Sequence, residues 1–147
     1  MAERTFDLEQ AERLLPQLER LLRTALESRK HVLEMEQEYA AWIESILMMG
    51  GRQVNIVEFS RRTREKECQA ASLRQAAEEI ESYGCQLKDL EIGLVDFPCR
   101  IRGREMYLCW KLGERSIQFW HLPEEGFAGR KPIDAKLMRQ LKPSRPV

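Results

Sequence analysis

Apolar residues recur every three or four positions through the first half of the chain and every second position in a shorter stretch beyond residue 84. Leu14, Leu18, Leu21, Ala25, Ser28, Val32, Met35, Tyr39, Trp42 and Ile46 follow the helical spacing, with only Ser28 polar. Leu15, Leu22, Leu26, Leu33, Ile43 and Leu47 widen that stripe to the face of a core-packing helix. Upstream, Asp7 and Gln10 have the spacing of a capping box and Phe6 precedes them. Pro16 removes a backbone donor and crowds the preceding turn. The pattern therefore predicts a short helix over 8–15 and a long one after it, with Pro16 in the first turn of the second. Gly50 and Gly51 end that helix. A thinner stripe of Ile56, Phe59, Ala70, Leu73, Ala77 and Ile80 predicts a further helix over 54–83, with Gly84 as its left-handed exit. Residues 61–67, RRTREKE, are polar on every side. Interleaved glutamates make them a solvated segment laced with ion pairs in preference to a basic patch.

The alternating pattern predicts strands over 94–101, 106–112 and 116–121, joined by two-residue turns at Arg102-Gly103 and Gly113-Glu114. Two such turns would place Val95, Trp110 and Ile117 in one row. Phe97, Leu108 and Phe119 would form the next, then Cys99, Met106 and His121, all on one apolar face. The opposite face would hold Asp96, Cys109 and Gln118, then Tyr107 and Trp120, with Lys111 nearby. The expected fold is α+β: a long antiparallel helical hairpin, with a short N-terminal helix, packed on a three-stranded antiparallel β-meander. It forms a single domain over 1–134, with the hairpin at 6–83 and the meander and a Gly-rich loop at 84–134. A basic, mobile tail follows over 135–147.

Length bears on assembly. Thirty residues of helix run about 45 Å, whereas a seven-residue strand runs about 23 Å. The hairpin should overhang the sheet and leave Met35, Tyr39, Trp42, Ile43 and Ile46 for a second copy to cover, giving a homodimer held through helices. The formal net charge is zero, with 24 basic and 24 acidic side chains, which argues against a phosphate-binding surface. No apolar run reaches the ~18–20 residues of a membrane span, and the N-terminus MAERTFDLEQ lacks a signal-peptide core. A cytoplasmic protein with no membrane partner is expected. Cys68, Cys85, Cys99 and Cys109 contain no C-x-x-C pair and are expected as free thiols.

Candidate chemistry gathers in the second half. Asp96, Tyr107, Lys111, Trp120, His121 and Arg130 form the expected ligand-binding set on the mixed face and the loop beside it. No cofactor is expected. The alternative is a divalent metal (zinc, manganese or iron) held by His121 with carboxylates from Asp96, Glu114, Glu124 and Glu125, and Asp89 also near. Its spacing lacks the two-ligand signature of one helix face. A zinc site from Cys85, Cys99, Cys109 and His121 lacks the paired spacing such sites show, and the register points Cys109 away from Cys99. The same register puts His121 on the face opposite Cys109, which would deprive that thiol of a base. The 126–130 run, GFAGR, reads as a turn whose arginine pairs with Glu124 or Glu125, and it is not a phosphate loop.

The opening FDLEQAERLLP, the block GCQLKDLEIGLVDFP, then YLCWKLGE, FWH and GFAGRKPI resemble a bacterial family known only as domain of unknown function 2203. The resemblance runs from Phe6 to Ile133, with the middle helix weakly matched. Matching positions include Gly84, Asp96, Trp110, Glu114, His121, Gly126 and Arg130, while Cys99 departs from the pattern. The resemblance implies a small bacterial cytoplasmic protein and brings no activity or cofactor. Three functions stand at this point. The first is a homodimeric, non-enzymatic binding or interaction module for an unknown protein or small-molecule ligand. The second is a metal-dependent hydrolase using His121 and nearby carboxylates. The third, weakest, is nucleic-acid binding through Arg61, Arg62, Arg64 and the basic tail.

Overall fold

The computed structural model describes residues 4–51 and 55–141. Helix α1, Leu8–Met48, is one unbroken element with Pro16 inside it, in place of the expected short and long pair. The capping box forms as read: Gln10 N–H donates to Asp7 Oδ1 at 2.7 Å and Asp7 N–H to Gln10 Oε1 at 3.0 Å. Proline within a helix costs about 3 kcal/mol. Leu8, Ala11, Leu15 and Leu18 flank Pro16 and are all buried in the same core. Each buried leucine contributes about 1.5–3 kcal/mol, so packing on both sides of the proline outweighs the local penalty.

Helix α2, Ile56–Ser82, opens on Asn55, whose Oδ1 accepts from Glu58 N–H at 3.1 Å. Val54, the expected start of this helix, lies outside the described residues. Gly84, with φ +96°, turns the chain out of α2. The two helices pack together as an antiparallel hairpin.

The sheet has five strands and not three: β1 Gln86–Asp89, β2 Leu94–Ile101, β3 Arg104–Lys111, β4 Phe119–His121 and β5 Lys131–Pro132. They lie in chain order and every neighbouring pair is antiparallel. The edge strands β1 and β5 show almost no apolar alternation, because they are held by backbone pairing to β2 and β4.

The β2–β3 register is the expected one, with Val95 opposite Trp110, Phe97 opposite Leu108 and Cys99 opposite Met106. The β3–β4 register is shifted by one residue: Leu108 faces Trp120, Cys109 faces Phe119 and Tyr107 faces His121. The cause is the 112–118 connection, which is not a two-residue turn. Glu114 folds back so that its Oε1 accepts Lys111 N–H at 2.7 Å and its carbonyl accepts Trp110 Nε1 at 2.9 Å. These bonds end the ladder at Cys109. A one-residue slip moves every side chain of a strand to the other face. Trp120 therefore joins the core face, and His121 and Phe119 move to the face of Asp96 and Cys109.

The chain divides into two compact units. One comprises the chain up to Leu22 and from Ala77 onward. Its core joins the first turns of α1 and Ile80 of α2 to Val95, Phe97, Cys99, Met106, Leu108, Trp110 and Ile117. Phe6 packs edge-on to Phe97 at 5.4 Å, and its N–H donates to the Pro98 carbonyl at 2.7 Å. A short helix α3, Ala135–Leu141, follows the Asp134 cap, and Leu141 is buried in this core. That helix occupies the start of the stretch expected to be a mobile tail. Residues 142–147 lie outside the described residues.

The other unit, Arg23–Ala76, is helical hairpin alone. Ser28 Oγ donates to Ser72 Oγ at 3.1 Å, and Lys66 pairs with Glu36 at 3.2 Å. Tyr39 stands 5.9 Å from both Trp42 and Phe59. The polar run carries the expected ion pairs: Arg61 bonds Glu58 and Glu65, and Arg62 bonds Glu58. The paired guanidiniums hold the Glu58 carboxyl down at about 2.

Candidate functional site

Three adjacent strands each contribute one residue to a polar cluster on the second face of the sheet. Asp96 of β2 stands opposite Cys109 of β3, and Cys109 opposite Phe119 of β4, two residues before His121. Donor atoms of Asp96, Cys109 and His121 all lie within 4.8 Å of one another, and all three residues are buried. Asp96 and His121 are 2% and 4% exposed. Such burial of a carboxylate and an imidazole is tolerable only if the two are paired.

They are. Asp96 Oδ2 lies 2.9 Å from His121 Nε2, and His121 Nδ1 lies 2.8 Å from the Leu122 carbonyl. A carbonyl only accepts, so Nδ1 carries a proton. One further proton then sits between Nε2 and Oδ2, on the ring or on the carboxyl. Asp96 Oδ1 is buried with no hydrogen-bond partner among the described residues. The Tyr107 ring stacks on the imidazole at 5.4 Å.

Burial first, and then the neighbouring Asp96, pushes the Cys109 thiol up to about 12. Both ring nitrogens of His121 are engaged, so no free base faces the thiol. The pair does not form a nucleophile–base couple, although the histidine does lie on the cysteine's face.

The loop beyond β4 supplies the rim. Arg130 bonds both carboxylate oxygens of Glu114, at 3.2 and 3.0 Å, and lies over the Phe119 and Phe127 rings at 4.0 and 4.5 Å. Glu125 is the partner of Lys131 at 2.5 Å and accepts the Leu122 N–H at 3.1 Å. Lys131, chiefly, and then that amide hold its carboxyl below the usual range. Lys131 also lies over Trp120, at 4.7 Å.

Of the expected ligand-binding residues, Asp96, Tyr107, Lys111 and His121 share one face with Arg130 at its rim, and Trp120 is on the other. Of the expected metal carboxylates, only Asp96 lies at His121. Glu114 is taken by Arg130, Glu125 by Lys131, and Glu124 is exposed on the loop. Sequence reasoning missed Cys109. Its place opposite Asp96 was legible in the first hairpin, but its nearness to His121 depends on how Glu114 folds. The expected Arg130 pairing with Glu124 or Glu125 is in fact made with Glu114.

A second candidate surface lies on the hairpin unit, where a groove of about 470 Å³ is lined by Tyr39, Arg61, Arg62 and Lys66 among others. Its cations are engaged by Glu58, Glu65 and Glu36. Large exposed apolar side chains concentrate on this unit: Leu33, Leu47, Met48, Met49, Ile56, Val57 and Phe59, against Ile92 and Phe127 in the other.

Fold and site together define a small α+β protein: a helical hairpin, a five-stranded antiparallel sheet and a buried acid–histidine–thiol cluster on one sheet face. The chain belongs to the family described as Uncharacterized conserved protein (DUF2203), whose model matches residues 4–133. No curated protein and no solved structure matches it.

Proposed function

We propose that this protein is a homodimeric, non-enzymatic interaction module that self-associates through the closed end of its helical hairpin. One observation carries this reading. Leu47 and Met48 at the end of α1, Met49 just beyond it, and Ile56 and Val57 at the start of α2 are each at least 70% exposed. Scattered surface leucines are ordinary, but apolar side chains gathered at one end of an element mark an interaction surface. A second copy is the favoured occupant on charge. The chain carries no formal net charge, so two copies meet without long-range repulsion. Arg61 and Arg62 beside this end are engaged by Glu58 and Glu65, which weakens the case for an anionic polymer.

The hydrolase reading loses support from burial. An ion at His121 would lie beneath residues more than 95% buried, out of reach of a bulky substrate. Light scattering on the purified chain at micromolar concentration tests the proposal. We expect the mass of two chains, falling to one in Leu47→Glu/Val57→Glu with unchanged helix content. A wild-type mass of one chain overturns it.

A further inference from the structure

We propose that Asp96, Cys109 and His121 form a binding site for a single divalent transition-metal ion, zinc by preference. This inference stands apart from self-association and rests on four features of the cluster. The donors are a carboxylate oxygen, a thiol sulfur and an imidazole nitrogen, the set that zinc and its neighbours take from proteins. They come from three adjacent strands, so a sheet and not a flexible loop sets their spacing. His121 Nδ1 is anchored on the Leu122 carbonyl at 2.8 Å, the outer-shell bond that orients a ligating histidine and aims its other nitrogen inward. Asp96 Oδ1 is buried without a hydrogen-bond partner among the described residues. An orphaned carboxylate oxygen in a buried site is costly unless something binds it.

The distances permit it. A tetrahedral ion with bonds of about 2.0–2.3 Å draws its donors to roughly 3.3–3.8 Å apart. The donors here all lie within 4.8 Å of one another, so the widest separation closes by at most about 1.5 Å. That is within reach of side-chain rotation at Cys109 and Asp96. Asp96 Oδ2 and His121 Nε2, now 2.9 Å apart, separate slightly as the proton between them leaves.

Charge selects the valence. A carboxylate and a thiolate bring two negative charges, which a divalent ion neutralises. The thiol proton and the proton shared by Asp96 and His121 leave in exchange. The buried site is neutral before and after. Arg130, whose charge reaches Cys109, is already balanced by Glu114, and Lys131 by Glu125. A monovalent ion would leave the interior negative and a trivalent one positive, both costly there. Three protein donors leave the fourth position to water.

Cobalt(II) reads the ligands directly. Chelator-treated full-length protein, titrated with cobalt(II), should take up one ion with a thiolate-to-cobalt charge-transfer band in the near ultraviolet and intense visible bands of tetrahedral cobalt. Zinc should displace it one for one. Cys109→Ser should abolish the charge-transfer band, whereas Cys68→Ser should keep it. Cys109→Ser should also weaken zinc binding by more than the ~100-fold that loss of an outer-shell partner costs. If Cys109→Ser does not fold, the wild-type spectrum and a Cys68→Ser/Cys85→Ser/Cys99→Ser variant still decide. Failure of the wild type to bind zinc or cobalt stoichiometrically overturns the proposal. So does binding without a charge-transfer band, or a band that survives Cys109→Ser.

Discussion

Cys109 shows how one buried position sets the chemistry open to it. Beside Asp96 and with no free base, its thiol stays protonated far above the usual range, and desolvation does the same to Cys85 and Cys99. The folded-state values are about 12, 11 and 11, against 9.0 for a free thiol. These groups are raised, so their contribution is fully present below pH 9 and is lost as pH climbs through 11–12. The unfolded chain gives up those protons first. Each thiol should then remove up to about 1.4 kcal/mol of stability per pH unit. Thermal melting of the chain should be flat between pH 7 and 8.5 and fall steeply beyond pH 9. A Cys85→Ala/Cys99→Ala variant should show a shallower fall, and a wild-type melting temperature that holds steady to pH 11 contradicts the assignment.

At the scale of elements, local chemistry decided where chains turn and packing decided where they did not. Gly93 closes the β1–β2 turn with φ +67°, and its carbonyl accepts Leu112 N–H at 3.0 Å. A side chain there would bring its Cβ to 2.5 Å from Leu112 Cβ, so a left-handed backbone and a closed space coincide. Gly93→Ala should cost about 2–4 kcal/mol, measured by denaturant unfolding. A loss under about 1 kcal/mol would mean the turn can rearrange. Pro16 is the opposite case. Its residue type argues for a break, and the helix runs through because leucines before and after it share one core. The 112–118 connection is a third case. Gly113-Glu114 reads as a hairpin turn, yet the Glu114 carboxylate prefers the Lys111 amide and lengthens the loop.

For the whole molecule, burial is uneven along the chain. Leu18, Leu22 and Ala25 are fully buried, whereas Leu33, Leu47 and Met48 on the same helix are largely exposed. The protection of backbone amides follows the stability of the surrounding packing. Hydrogen exchange should therefore be slowest across 15–25 and 94–110, and faster along 35–48 and 56–70, in the unassociated chain. A dimer made through the hairpin end should slow the second set as protein concentration rises. Exchange that is uniform along α1 would show that the two units unfold as one.

The chain itself determined the helical hairpin, its capping box and glycine exit, the β2–β3 register and the apolar face of the sheet. Each of these rests on a periodicity or a short-range bond that neighbouring residues supply. Tertiary structure alone decided the continuity of α1 through Pro16, the two edge strands, the burial of α3 and the face to which His121 belongs. The first three depend on pairing and packing between separate elements, whose energies no local pattern encodes; the last turns on the Glu114 side chain taking the Lys111 amide three residues back, where the Gly113-Glu114 signal reads as a tight turn. The candidate metal site falls between the two. Asp96 and Cys109 were brought together by a register legible in the sequence. His121 reached them only because the Glu114 side chain took the Lys111 amide and β4 paired one residue out of the expected register.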